Sequence, residues 1–522
     1  MSRMIPARGF RQSMSQLHTW AGLLPGWLLY VIFLFGTVAF FQLEISRWMR
    51  PELSGADVTS HALDRVAEHL AETASDAESW RILLPPARAG EAISAFWKAR
   101  DESGASGQAI FDPVSGMPAS IRDTTGGWFP YRFHFQLHYV PRWIGEYLTS
   151  LAGLVMLVVI LSGVVIHKKI FADFFLLRFG KGQRSWLDTH NVTAVLALPF
   201  HLMITYTGLV TLLFTLMPWA ITANYETADA FYKARAIPAL ENEPSGEKAA
   251  LLPLGALIGS IEHRLGGGRL QFVTISNPGD RSAVIAAWPN RDTLGTFRAT
   301  SYYSAVTGEQ LRSLPKRNAS AATQSVMVDL HTGLFAGQML RWLYFLSGVG
   351  GTVMVASGLV LWTVKRRAKL PDPTHPHFGF RLVERLNIGV IVGAPVGIAV
   401  YFLANRLLPF DMAQRADWEI NSLFIAWGGL FVWTLARPAK RAWVEAFIAC
   451  AALYALVPLV NALTTERGLI PSLIARDWVF AGFDLVMLVT AAACAFTAWK
   501  VATHKPKAAP RRRMRELVEA AA

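Results

Sequence analysis

Two histidines stand in the apolar run Leu187–Met217: His190 near its start and His201 near its middle. Crossing a bilayer takes roughly 20 apolar residues, so the run is long enough to do it. An ionisable side chain inside such a span is costly and marks a functional position by default. Eleven residues separate the two histidines. On an unbroken helix, at about 100° per residue, both rings leave one face, about 16 Å apart along the axis. Imidazole is a metal ligand, and two of them on one face at different depths suit two stacked haems. The bland reading is that each ring bonds a neighbouring helix or faces water. The remaining histidines decide between the two.

They fall into a repeat. Residues 18–167 and 190–365 read as copies of one unit. Each copy opens with a histidine at the mouth of an outgoing span, His18 in LHTW and His190 in THNV. Eighteen residues later comes a glycine, Gly36 or Gly208. A Leu-His pair precedes each returning span, Leu137-His138 and Leu330-His331, and Ser162-Gly163 and Ser357-Gly358 close those spans. A pseudo-twofold axis along the membrane normal would bring His18 to His190 at the inner face and His138 to His331 at the outer face. Each pair fits the axial ligands of a bis-histidine, b-type haem, which needs no cysteine. His201 competes as a mid-span ligand. His134 lies four residues before His138, shares its face on a helix, and is a further candidate. His167 matches Trp362 and His201 matches Leu29, so neither has a counterpart. The competing structural reading gives these histidines helix caps or interfacial hydrogen bonds. No catalytic side chain is named.

The elements that must position these rings are read from composition. The chain has 522 residues, 52% of them hydrophobic, and a formal charge of +13. This is a polytopic membrane protein, and its charge lies in short loops and a tail rather than on a nucleic-acid surface. The two cysteines, Cys450 and Cys494, sit in apolar runs, and no CxxC, CxxCH, Walker A or strand-borne GxGxxG occurs. Iron–sulfur clusters, covalent haem and a bound nucleotide are thereby disfavoured. The expected fold is all-α with about eight spans, built on duplicated two-span units, with two small α+β inserts. The expected segments are 1–44 (N-terminus and first span), 45–140 (insert), 141–218 (second and third spans), 219–335 (insert), 336–367 (fourth span), 368–387 (loop), 388–500 (a four-span unit) and 501–522 (basic tail). Lys and Arg crowd the loops after the second, fourth and sixth spans, including Lys168, Lys169, Lys365, Arg366 and Arg367. The positive-inside rule therefore makes both termini cytoplasmic and turns both inserts outward. The tail, with PRRRMRE, is expected on anionic lipid.

On these motifs the chain resembles the PepSY-associated transmembrane family, which includes bacterial inner-membrane ferrisiderophore reductases. The residues that carry the resemblance are LHTWAGLLPGWLL at Leu17–Leu29, FQLHYVPRW at Phe135–Trp143, DLHTGLFAG at Asp329–Gly337 and SGLVLW at Ser357–Trp362. The strand–turn signatures IFDPVSGMP and YYSAVTGEQL make the inserts similar to PepSY domains, the second without the counterpart of Asp112. The resemblance covers about residues 10–367. It implies an iron-linked oxidoreductase of the bacterial inner membrane that uses two molecules of haem b. Electrons would come from a cytoplasmic reductase or quinol, and a ferric siderophore or other ferric chelate would be reduced in the periplasm. PepSY modules also serve regulation or anchoring without redox work, and eight spans with a repeat also suit a transporter.

Overall fold

The computed structural model describes residues 9–504, apart from 54, 56, 86–87, 89–91, 101–105, 168–176, 179, 236–239, 241, 291–293, 295–299 and 314–318. The expected basic tail, with Lys168 and Lys169, lies outside the described residues.

The first unit runs α1 (Phe10–Leu23), α2 (Gly26–Ala39), α3 (Gln42–Trp48), α4 (Ser60–Thr73), β1 (Ala77–Leu83), β2 (Ile93–Ala99), β3 (Gly107–Phe111), α5 (Trp128–Gln136) and α6 (Arg142–Ile166). The second runs α7 (Gln183–Leu196), α8 (Leu198–Thr211), α9 (Leu213–Leu216), α10 (Trp219–Thr222), α11 (Ala228–Arg235), α12 (Leu254–Arg264), β4 (Leu270–Ser276), β5 (Val284–Pro289), β6 (Ser301–Ser304), β7 (Gln310–Ser313), α13 (Ala319–Thr332) and α14 (Gln338–Arg367). The C-terminal unit follows: α15 (Phe378–Ile391), α16 (Gly393–Leu407), α17 (Arg415–Leu435), α18 (Ala439–Thr464), α19 (Leu469–Ile474) and α20 (Trp478–Thr503).

The outgoing span of each unit is broken. Helices α1 and α2 meet at 63°, and α7 and α8 at 68°. The breaks fall at repeat-equivalent places, Pro25 before α2 and Ala197 before α8, with Pro199 in the first turn of α8. A proline ring removes one helical hydrogen bond and clashes with the carbonyl a turn earlier, which bends the chain. The expectation of one unbroken helix from Leu187 to Met217 is corrected here, and with it the argument that His190 and His201 share a face. Their rings are brought into one cavity by the bend instead.

The packing of the two units is reciprocal. Helix α1 lies on α6 and α2 on α14, while α7 lies on α14 and α8 on α6. Likewise α5 packs on α2 and α13 on α8. Equivalent helices of the two units thus make equivalent contacts.

Five helices, counting α15–α16 as one, are long and apolar enough to cross a membrane, or up to seven if each bent pair is one span. The expected count of eight is not reached among the described residues. The missing one is α17, whose apolar stretch is interrupted by Glu419, Asn421 and Gly428-Gly429. In the C-terminal unit α15–α16 is the most buried span. It is tied to the repeat by Tyr30 Oη donating to the Ile391 carbonyl at 2.8 Å and by Trp27 Nε1 donating to Asn387 at 2.9 Å.

The two inserts do not stand apart. Their strands form one seven-stranded antiparallel sheet, in the order β3-β2-β1-β4-β5-β6-β7. The seam is β1 against β4, with Trp80 opposite Ile275 and Ile82 opposite Val273. Helix α4 is capped by Thr59 and buries Ala62, Leu63, Val66 and Leu70 along one stripe. It packs on its counterpart α12 at Gly255, where a Cβ would fall 2.3 Å from the Ser60 carbonyl oxygen. A single core, including Val66, Ile82, Ile258 and Val273, serves both inserts. Each insert alone offers three or four short strands, and pairing their edges removes an exposed ladder.

Candidate functional site

The central gap holds two imidazole pairs. His18 on α1 faces His190 on α7, with ring centroids 6.2 Å apart and planes at 78°. His134 on α5 faces His331 on α13, with centroids 6.0 Å apart and planes at 26°. The first pair lines a cavity of about 630 Å³ that reaches Lys365 and Arg366, the basic end of the bundle. The second lines a cavity of about 440 Å³ that reaches Arg88 and Gln271 of β4, the sheet end.

All four rings are oriented in one way. His18 Nδ1 bonds the Val159 carbonyl at 3.0 Å, and His190 Nδ1 the Met354 carbonyl at 2.8 Å. His134 Nδ1 bonds the Ile32 carbonyl at 2.8 Å, and His331 Nδ1 the Ile204 carbonyl at 2.9 Å. The acceptors are repeat equivalents, Val159 with Met354 and Ile32 with Ile204. A carbonyl can only accept, so each Nδ1 carries the proton and each Nε2 presents a lone pair. Among the described residues Nε2 of all four has no hydrogen-bond partner. A hydrogen bond from the far ring nitrogen to a carbonyl is how proteins fix the tautomer and orientation of metal-ligating histidines.

Each ring also rests on a glycine. A Cβ on Gly36 would fall 2.6 Å from His134, and one on Gly208 2.7 Å from His331. At the basic end the figures are 3.2 Å from Gly163 to His18 and 3.1 Å from Gly358 to His190. Both glycine pairs are the ones that the repeat aligns in sequence. Imidazole nitrogens on opposite sides of one metal lie about 4 Å apart when each bond is about 2 Å. Ring centroids near 6 Å suit that arrangement, and the donor set suits iron in a haem.

At the basic end the structure sets His18 beside His190, and at the sheet end the neighbour of His331 differs from the expected His138. His331 is brought to His134, not to His138. Helix α5 ends at Gln136, and Leu137 and Tyr139 take φ of 59° and 60°. That turns His138 out of the gap onto Phe424 of α17, with ring centroids 5.5 Å apart and planes at 7°. His331 sits inside α13, which runs on to Thr332, so it keeps its helical direction. The signal for His134 was its place one turn before His138 on the same face.

His201 is buried at 1% exposure beside Phe33, and its Nε2 lies 3.3 Å from the Ser347 carbonyl. It lines the basic-end cavity but faces no second imidazole. His167 lines the same cavity and accepts from Asn191 at 3.1 Å. Among the described residues no cluster of three or more His, Cys, Asp or Glu is present, so a bare metal ion has no built cage there.

A duplicated membrane bundle with paired, carbonyl-anchored histidines is thus the class that fold and site define. The model of the PepSY-associated TM region matches residues 15–365, and the chain belongs to that family. It is also similar to an uncharacterized protein of Pseudomonas aeruginosa, with 27% identity over 386 residues, covering 70% of this chain and 93% of that protein.

Proposed function

We propose that this protein is a haem-dependent ferric-chelate reductase of the bacterial inner membrane, with both termini in the cytoplasm. His18 and His190 would hold one haem b, and His134 and His331 the other. Such a group would supply one-electron chemistry, with these histidines as the residues that would hold it. The observation that carries the reading is the repeat-related set of Nδ1–carbonyl bonds, which leaves an Nε2 lone pair on each of four imidazoles that stand in two pairs.

The substrate class follows from coordination chemistry. Ferrisiderophores and related chelates hold Fe(III) with hard oxygen donors and hold Fe(II) far less tightly, so a single electron frees the iron for uptake. The sheet made by the PepSY-like inserts would face the periplasm, and its Gln271 reaches the outer cavity. The chain's own residues bind and orient. The glycines let each imidazole seat against a helix backbone, and apolar residues, including Leu29 and Met156, line both cavities. With no flavin or nucleotide fingerprint in the sequence, the donor is a separate cytoplasmic reductase or a quinol.

Purified protein tests this. Pyridine haemochrome should find one haem for each imidazole pair, two in all. The dithionite-reduced bands should bleach when a ferric chelate of oxygen donors is added without air. Folded protein without haem absorption, or reduced bands indifferent to every such chelate, contradicts the proposal.

A further inference from the structure

Beside the basic-end imidazoles lie three ring nitrogens that nothing satisfies, Nδ1 of His201 among them. Nδ1 of His167 and Nε1 of Trp362 are both buried, and among the described residues neither has a hydrogen-bond partner. Both residues line the cavity that holds His18 and His190. Buried polar groups are almost always paired, so orphans gathered in one cavity point to a group that the protein alone does not supply.

His167 and Trp362 are donors there, whereas His201, whose Nε2 bonds the Ser347 carbonyl, presents an acceptor at Nδ1. The Asn191 amide donates to Nε2 of His167 at 3.1 Å, which leaves the ring proton on Nδ1. An indole nitrogen can only donate. The missing partner of His167 and Trp362 is therefore an acceptor. Its sign is read from the neighbours. The Arg366 guanidinium lies 3.9 Å from the Trp362 ring centroid and 5.3 Å from that of Trp20. Arg366 has no carboxylate partner among the described residues, and Lys365 lines the same cavity. Arg178, by contrast, is spent on Asp188, with two contacts at 2.8 Å.

The two donors are also repeat equivalents. His167 follows Gly163 by four residues and Trp362 follows Gly358 by four. These are the glycines against which the rings of His18 and His190 rest. Each half thus offers one N–H at the same place, by different chemistry. A ligand that matches this is itself nearly twofold symmetric and carries two acceptors on one edge.

We propose that His167 and Trp362 form a two-point clamp for the two propionates of the haem held by His18 and His190, with Arg366 balancing their charge. This rests on the haem reading above. Hydrogen bonds to a carboxylate are stronger than neutral ones. The clamp sets which edge of the macrocycle faces the basic end.

The test uses the full chain, prepared without haem, with His331→Ala present throughout to remove the outer pair. Haem b and its dimethyl ester, which lacks the propionate charges, are titrated in and followed by the Soret band. Haem b should bind about tenfold or more tighter than the ester. Trp362→Phe keeps the ring and removes the N–H, and His167→Phe does the same. Each should weaken haem b by about tenfold and leave ester binding unchanged. His167→Gln, which restores an N–H donor, should recover the affinity. If either Phe variant binds haem b as tightly as the parent, or loses haem b and ester equally, the clamp is wrong while the haem reading stands. If the parent binds neither porphyrin, the haem reading fails and takes the clamp with it.

Discussion

The two imidazole pairs use one orienting device and two kinds of support. At the basic end both histidines stand on the broken outgoing spans, α1 and α7, and their glycines come from the returning spans. At the sheet end the histidines stand on the short helices α5 and α13, and the glycines come from α2 and α8. The inner pair is thus carried by helices laid along the returning spans, α1 on α6 and α7 on α14. The outer pair depends on how α5 and α13 are held. Here the symmetry ends, because the C-terminal unit grips the entry to α5. Glu419 accepts from Thr124 at 2.5 Å, and Tyr401 Oη donates to the Gly126 carbonyl at 2.8 Å. Arg415 bonds both the Asp123 carbonyl, at 2.9 Å, and Glu419. Orienting a ring takes one carbonyl, whereas placing the helix that carries it takes a second layer. In this chain α16 and α17 provide that layer for the first repeat.

The largest effect should come from that grip. Arg415 and Glu419 are 1% and 0% exposed. Breaking a buried ion pair from one side costs about 3–5 kcal/mol. Glu419→Ala should lower stability by that amount in denaturant titrations in detergent and should loosen the outer haem while the inner one stays. Equal disturbance of both would break the asymmetry described here.

The glycine supports come next. Gly36→Val should expel the outer haem, since even a Cβ would fall 2.6 Å from His134. At the inner site Gly163→Ala leaves 3.2 Å to His18, within reach of a small ring shift. That variant should keep both haems with a slightly altered spectrum. Haem content per chain separates the two cases, and loss of the inner haem in Gly163→Ala would count against the inner pair as drawn.

The smallest effect is expected at His201. Its repeat counterpart is Leu29, and it faces Phe33 and the Ser347 carbonyl rather than an imidazole. His201→Leu should retain both haems. Loss of either would return it to the set of ligands.

Much of this site was legible in the sequence, because a duplication writes its own key. Gly36 and Gly208, Gly163 and Gly358, and His18 and His190 align by eye, and each structural role follows the alignment. The outer pair was misread for a local reason. Leu137-His138 and Leu330-His331 match as letters, but one lies past a helix end and the other within a helix. A left-handed residue at Leu137 cannot be read from its type, since leucine rarely adopts that conformation. The bends at Pro25 and Ala197 were signalled by Pro25 and Pro199 and should have limited the same-face argument for His190 and His201. The merging of the inserts through β1 and β4 was not legible, because edge pairing across about 190 residues of sequence leaves no periodic trace.

The most direct test of the two-centre account compares His134→Ala with His138→Ala by haem content and reduced-minus-oxidised spectra. His134→Ala should lose the outer haem and keep the inner one, with half the parent's haem per chain, while His138→Ala keeps the full complement and an unaltered spectrum. Full haem in His134→Ala, or loss in His138→Ala, would contradict the outer pair as His134 with His331.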